Sequence, residues 1–268
     1  MGIFSKISEN MRSKRLKKVG GAALPEAPTY LLNEDSPFAL TESFRALKAA
    51  ISVSVAKKGD EGVAFMMTSA FPEDGKTTVA SNLALMFAQS DAKVVLVDAD
   101  IRKGRVGKSF ALKNVPGLSD YLSGQATLDE VCQPSNYNEN LYIIPCGTVS
   151  PRPYEILESA KMKELSDTLK AKFDYVIYDT PPVLLVADSL ALAPIVDGAA
   201  LVCRHLASYV SDMANALNKL AFAKVNILGI VVNDYKGGKK TKRKNYYHYE
   251  HYGYGAAKKP SDSEPKTE

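Results

Sequence analysis

A chain of 268 residues, 46% hydrophobic and 24% charged, has the composition of an ordinary globular protein and the length of one α/β core with appendages. No apolar run approaches the roughly 18 residues that cross a bilayer, and no signal peptide stands at the N-terminus. Three scattered cysteines, Cys132, Cys146 and Cys203, exclude a disulfide framework or a CxxC metal site, read as ordinary core residues and suit a reducing cytoplasm. The net charge of +4 is uneven: residues 1–20 and 236–268 carry +5 each, so residues 21–235 carry −6.

Residues 1–35 read as a basic arm, with Ile3, Phe4, Ile7 and Met11 set among lysines, followed by a Gly/Ala/Pro-rich linker. Met1-Gly2 opens like a myristoylation signal, but Lys6 stands where that signal needs Ser or Thr. A domain is expected over 36–235, opening with a helix within 36–58. Ser36-Pro37 supplies its N-cap and first turn, and Leu40, Phe44, Leu47 and Ile51 form one apolar face. Glu42, Arg45 and Lys48 fall on a neighbouring stripe, which by itself reads as a solvated face.

Further on, strands are predicted at 63–68, 94–97, 141–145, 175–178, 198–203 and 227–232. Helices are predicted at 77–89, 118–122, 153–171, 189–195 and 208–223. This alternation specifies an α/β fold, a mostly parallel sheet with helices on both faces and ligands at the carboxyl ends of its strands, and the loop at residues 70–77 makes it one of the P-loop NTPase kind. Residues 236–268 lack aliphatic periodicity and read as a disordered tail.

Ala70-Phe-Pro-Glu-Asp-Gly-Lys76-Thr77 follows a predicted strand and opens a predicted helix, a phosphate-binding loop with Ala70 in place of the first glycine. Backbone N–H groups of Glu73, Asp74, Gly75, Lys76, Thr77 and Thr78 are expected around ATP phosphates. Lys76 supplies a point charge and Thr77 a hydroxyl for Mg²⁺. The side chains of Glu73 and Asp74, awkward beside anions, are expected to turn outward.

Two predicted strands end in acid on the same rim, one at Asp98-Ala-Asp100-Ile-Arg102 and one at Asp179-Thr-Pro-Pro. A P-loop needs an acid there to hold Mg²⁺, with Asp98 and Asp179 as candidate metal ligands. Phosphorylating a hydroxyl also needs a carboxylate to take the proton, a role open to Asp98, Asp100 or Asp179. Arg102 either stabilises the transferring phosphoryl group or pairs with Asp98 or Asp100. Asp188 is a candidate near the metal, and Asn233 a candidate adenine partner.

In these motifs the chain resembles the bacterial tyrosine kinases of the Gram-positive capsule and exopolysaccharide type, over residues 36–255. Residues 70–77 are similar to that family's Walker A, residues 95–102 to its A′ box and residues 176–182 to its Walker B. Glu42, Arg45 and Lys48 are similar to its oligomerisation motif, and Tyr246, Tyr247, Tyr249, Tyr252 and Tyr254 to its autophosphorylated cluster. The resemblance implies a cytoplasmic ATP- and Mg²⁺-dependent tyrosine autokinase recruited to the inner membrane face. It further implies an activating membrane protein of the polysaccharide co-polymerase type, a ring in which one tail enters the next active site, and a cognate phosphatase. Regulation of capsule or exopolysaccharide synthesis is implied too, and no nucleic-acid partner is expected. The alternative is a partitioning or septum-positioning ATPase using basic arms on DNA or membrane. Such proteins carry an extra lysine early in the P-loop, and residues 69–73 have none.

Overall fold

The computed structural model describes residues 30–55 and 61–235. Seven strands form one sheet: β1 Val63–Ser69, β2 Val94–Asp98, β3 Gln133–Pro134, β4 Leu141–Ile144, β5 Tyr175–Asp179, β6 Gly198–Arg204 and β7 Ile227–Asn233. Their order is β3-β4-β2-β5-β1-β6-β7, parallel throughout except for the short β3 edge. Every residue of β1 and β2 is buried, which explains why these strands read as unbroken apolar runs rather than alternating ones.

Helices cover both faces. On one side lie α1 (Phe38–Ser54) and α2 (Lys76–Ala88), where Ile51, Leu83 and Phe87 pack on Phe65, Leu96 and Ile177. Phe87 stacks on Tyr175 with ring centroids 4.0 Å apart. On the other side α3 (Ala160–Lys170) and α4 (Val210–Phe222) bring Leu165, Leu169, Ala216 and Leu220 against Val95, Val176 and Leu201. All three cysteines are free and buried, as expected of core residues.

The six predicted parallel strands are present, each with its end within a residue of the expected one. Several local expectations are corrected. Helix α1 starts at Phe38 with Pro37 at its N-cap, because Ser36 is spent on a turn with Asn33, accepting its N–H at 2.9 Å. The predicted helix 153–171 is two helices, Pro153–Leu157 and α3. Ser159 takes an extended ψ of 152° between them and caps the second through Met162 N–H. Residues 189–195 form a turn, Asp188–Ala191, then a 3₁₀ segment, Ala193–Ile195, at Pro194. The expected linker ends early: Leu31 and Leu32 are buried, and Asn82 on α2 accepts the Leu32 N–H at 2.7 Å.

Candidate active site

The parallel register makes the site. Asp98 and Asp179 are paired neighbours at the ends of β2 and β5, and Met67 pairs with Asp179 just before β1 runs into the P-loop. The loop itself is strained into shape. Glu73 has φ 68° and Gly75 φ 89°, both left-handed, and Gly75 forms the N-cap of α2. A Cβ at Gly75 would lie 2.0 Å from Asn233 Nδ2, so glycine is also required for space.

Lys76, Thr77 and the acids converge as the sequence predicts. Thr77 donates its hydroxyl to Asp179 Oδ2 at 2.6 Å, while Lys76 Nζ lies 3.4 Å from Asp100 Oδ2 and 3.9 Å from Asp179 Oδ1. Burial pulls the Lys76 pKa downward, but the carboxylates of Asp179, Asp100 and Asp98 outweigh it and hold the ammonium above its ordinary value. Burial pushes Asp179 up, against the opposing pull of Lys76 and the Thr77 hydroxyl. Asp98 is pushed well up, by burial first and then by the charge of Asp179.

Asp179 Oδ1 is buried with no hydrogen-bond partner among the described residues. An orphaned carboxylate oxygen beside a threonine hydroxyl fits Mg²⁺, which takes one or two protein oxygens and leaves the rest to phosphates and water. Asp98, also expected as a metal ligand, accepts the backbone N–H groups of Val106 at 2.9 Å and Asp100 at 3.3 Å, one on each oxygen. Gly104 lies against the same carboxylate, so the loop folds over Asp98.

Two placements differ from expectation. Arg102 pairs with neither Asp98 nor Asp100. It donates to Asp188 through Nε at 2.6 Å and through a terminal nitrogen at 3.1 Å, clipping the loop after β2 to the loop after β5. Asp188, almost wholly buried, is thereby the anchor of Arg102. Asp74 does not turn to solvent: it is buried, accepts the Ser208 hydroxyl at 2.7 Å, and its carbonyl accepts Asn233 Nδ2 at 3.0 Å. Ser208 gave no signal of this role in the sequence, where it stands as the first residue of the helix predicted at 208–223. Glu73 is exposed as expected, and Thr78 lies in the first turn of α2, its carbonyl taken by Asn82. On α1, Glu42 and Arg45 pair with each other, and Lys48 reaches Ser90 at 2.6 Å. Tyr246, Tyr247, Tyr249, Tyr252 and Tyr254 lie outside the described residues, as does the basic N-terminal arm.

A P-loop at the carboxyl rim of a parallel sheet, with a threonine–aspartate pair beside it, defines a P-loop nucleotide-binding protein, and the AAA domain family matches residues 74–212. The relatives are narrower in kind. Tyrosine-protein kinase YwqD of Bacillus subtilis is 37% identical over 209 residues, spanning 78% of this chain and 85% of YwqD. Tyrosine-protein kinase etk of Escherichia coli K12 is 35% identical over 205 residues, 76% of this chain but only 28% of that longer protein. The solved kinase domain of the Escherichia coli enzyme superposes with TM-score 0.76 at 31% identity, covering 91% of both chains. A septum site-determining protein MinD of Pyrococcus horikoshii shares the fold more distantly, with TM-score 0.56, 26% identity and 67% of this chain covered against 73% of its own. The chain belongs to the bacterial tyrosine-protein kinases, enzymes that transfer phosphate from ATP to protein tyrosine.

Proposed function

We propose that this kinase phosphorylates its own C-terminal tyrosines, Tyr246, Tyr247, Tyr249, Tyr252 and Tyr254, in trans between copies of a ring-shaped homo-oligomer. The observation that carries the reading is the convergence of Lys76, Thr77, Asp100 and Asp179 within hydrogen-bond or ion-pair reach on one rim. The P-loop N–H groups and Lys76 hold the ATP phosphates, so Lys76 exchanges Asp100 Oδ2 for a phosphate oxygen. Thr77 and Asp179 would hold Mg²⁺, which when bound withdraws charge from the phosphate oxygens.

Asp100 is the proton acceptor in this reading. It is 7% exposed, against 0% for Asp98 and 1% for Asp179, and so is the carboxylate a substrate hydroxyl reaches. As the tyrosine oxygen bonds to the γ-phosphorus, the bond from phosphorus to the ADP oxygen breaks and the phenolic proton passes to Asp100. Asp98 fixes the loop and contributes charge. Arg102, held by Asp188 at the mouth, steadies charge on the transferring group. Asn233 already gives its amide nitrogen to Asp74, and its contact with adenine uses what remains of that side chain.

The exposed Arg45 and the half-buried Glu42 and Lys48 form part of the subunit interface. Relatives named for the cps region of Klebsiella pneumoniae and for EpsB of Ralstonia solanacearum support a part in capsule or exopolysaccharide synthesis. There the kinase works at the cytoplasmic membrane face, with a co-polymerase-type membrane activator and a cognate phosphatase. A mixing experiment tests the reading. A Lys76→Met chain with its tyrosines intact is incubated with an active chain whose five tail tyrosines are phenylalanine, fused to the activator's cytoplasmic segment, with ATP and Mg²⁺. Phosphotyrosine on the Lys76→Met chain is expected, and its absence while the active chain phosphorylates other tyrosines overturns transfer in trans.

A further inference from the structure

We propose that the kinase carries a second, non-reacting subsite for tyrosine: a recess on the outer face of the P-loop that seats an unmodified tyrosine of the acceptor segment and rejects phosphotyrosine. The proposal rests on the reading that the C-terminal cluster of a second copy is the acceptor. A cavity of about 290 Å³ opens between residues 70–74 of the P-loop and residues 204–212, which run from the end of β6 into α4. Its walls are Ala70 to Asp74 of the loop rather than Lys76 or Thr77, so it borders the phosphate cradle, from which it is separated by the backbone of Glu73 and Asp74. Its size sits at the small end of ligand pockets, about 300–1,000 Å³, and suits one side chain with its backbone.

The lining says which side chain. Phe71 and Tyr209 stand at the recess 41% and 74% exposed, a pair of aromatic surfaces with an aromatic ring's stacking preference and without a core to bury them. Three carboxylates, Glu73, Asp74 and Asp212, line it alongside one cation, Arg204. Asp74 is only 6% exposed. Ser208 satisfies its Oδ1, but its Oδ2 has no hydrogen-bond partner among the described residues. A buried carboxylate oxygen without a partner is costly, and a ligand bearing an O–H donor relieves it. A phenol meets both requirements with one ring and one hydroxyl. The acceptor segment adds charge complementarity, since residues 239–254 hold five tyrosines with Lys239, Lys240, Lys242, Arg243 and Lys244.

Phosphorylation reverses the match. A phosphotyrosine brings about −1.5 to −2 charge into a recess where carboxylates outnumber cations, and it removes the hydroxyl donor. While one tyrosine meets the γ-phosphate, an unmodified neighbour in the recess keeps the segment in place. As the last tyrosines are modified, that hold is lost and the segment leaves.

The full-chain kinase, fused to the activator's cytoplasmic segment, is assayed with a synthetic peptide of residues 239–254. Tyr209→Ala, at an exposed position, and Asp212→Lys, at a half-buried one, are each expected to raise the peptide KM about fivefold while kcat stays within about twofold. The peptide carrying five phosphotyrosines is expected not to compete with the unmodified one. Fluorescence anisotropy of labelled peptide reads binding without turnover, and the same two variants are expected to weaken it by the same factor. If wild-type enzyme binds the peptide but never phosphorylates it, the acceptor reading fails while the recess is still judged by the anisotropy. A peptide KM and affinity unchanged in both variants, a phosphopeptide that competes equally, or no peptide binding to wild type overturns the recess.

Discussion

Thr77 donates its hydroxyl to Asp179 Oδ2 at 2.6 Å, joining residues 102 positions apart in the chain. The bond ties the first turn of α2 to the end of β5 and leaves the other Asp179 oxygen without a hydrogen-bond partner among the described residues. A hydroxyl and an orphaned carboxylate oxygen side by side would hold Mg²⁺, which would supply positive charge beside the phosphates. Thr77→Ala and Asp179→Asn are each expected to lower kcat about 10²–10³-fold, the cost of removing one preorganised charge-stabilising group. Thr77→Ser, which keeps the hydroxyl, is expected to retain most activity. Phosphotyrosine formation over a Mg²⁺ titration checks this, and a Thr77→Ala enzyme with unaltered Mg²⁺ response would contradict it.

The same carboxylate carries a stability cost. Its folded-state pKa is raised, chiefly by burial, above the ordinary 3.8, so the native protein binds this proton more tightly than the unfolded chain does. At neutral pH the native state therefore holds Asp179 charged at a cost. That cost disappears as pH falls through the raised folded pKa, and the protection is complete once the pH is below the unfolded value. In the nucleotide-free protein, Asp179→Asn is expected to raise Tm at pH 7, at about 2–4 °C per kcal/mol for a domain of this size. The gain should shrink as pH is lowered toward 4. A Tm difference that grows on acidification would refute the assignment.

Much of this rim was legible because its chemistry lies in contiguous motifs. Lys76 and Thr77 follow β1, and Asp98 and Asp179 end apolar runs that parallel pairing aligns. What could not be read is pairing between motifs. Nothing local marks Arg102 for Asp188 across 86 residues, or Ser208 for Asp74 across 134, because those partners are chosen by where loops fold back over the sheet. Short turns such as Val106–Ser109 and Leu128–Val131, and the two-residue β3, carry too little periodicity to detect. The split of 153–171 hinges on Ser159 acting as a cap, which a helical window averages away.

The Arg102–Asp188 clip should fail asymmetrically. The Asp188 side chain is 2% exposed and Arg102 44%, so removing the arginine strands a buried carboxylate, whereas removing the aspartate leaves a guanidinium that water can solvate. Arg102→Ala is expected to cost about 2 kcal/mol and Asp188→Ala about 1 kcal/mol. Urea midpoints at constant m-value measure both. Equal losses would show that the pair is not held from the buried side.

Gly75 sets the P-loop against the end of β7. Its φ of 89° disfavours any Cβ, and that Cβ would lie 2.0 Å from Asn233 Nδ2. Gly75→Ala must therefore distort either the loop or the Asn233–Asp74 hydrogen bond, at a cost of about 1–3 kcal/mol. Because the distortion falls on the phosphate cradle, the affinity for ATP should fall more than tenfold. Adding Asn233→Ala removes the clash but not the backbone strain, so the double variant should recover only part of the affinity. Isothermal titration with a non-hydrolysable ATP analogue measures this, and full recovery would place the whole defect in the side-chain clash.

The tail supplies the last prediction. Residues 236–268 carry +5 and residues 21–235 carry −6, so in the proposed oligomer an unmodified tail would be attracted to a neighbouring subunit. Five phosphates, each about −1.5 to −2, move that tail to about −3 to −5 and turn attraction into repulsion. Phosphorylation to completion is therefore expected to dissociate the oligomer, with the unmodified protein eluting larger in gel filtration and the fully phosphorylated protein smaller. Screening adds a second check: raising ionic strength should weaken the unmodified oligomer, because attraction between exposed charges fades beyond about 8–10 Å at physiological salt. Replacing the five tyrosines with phenylalanine should hold the larger species in ATP and Mg²⁺. An oligomer that survives modification of all five sites would show that subunit contacts other than the tail hold it together without the tail's charge.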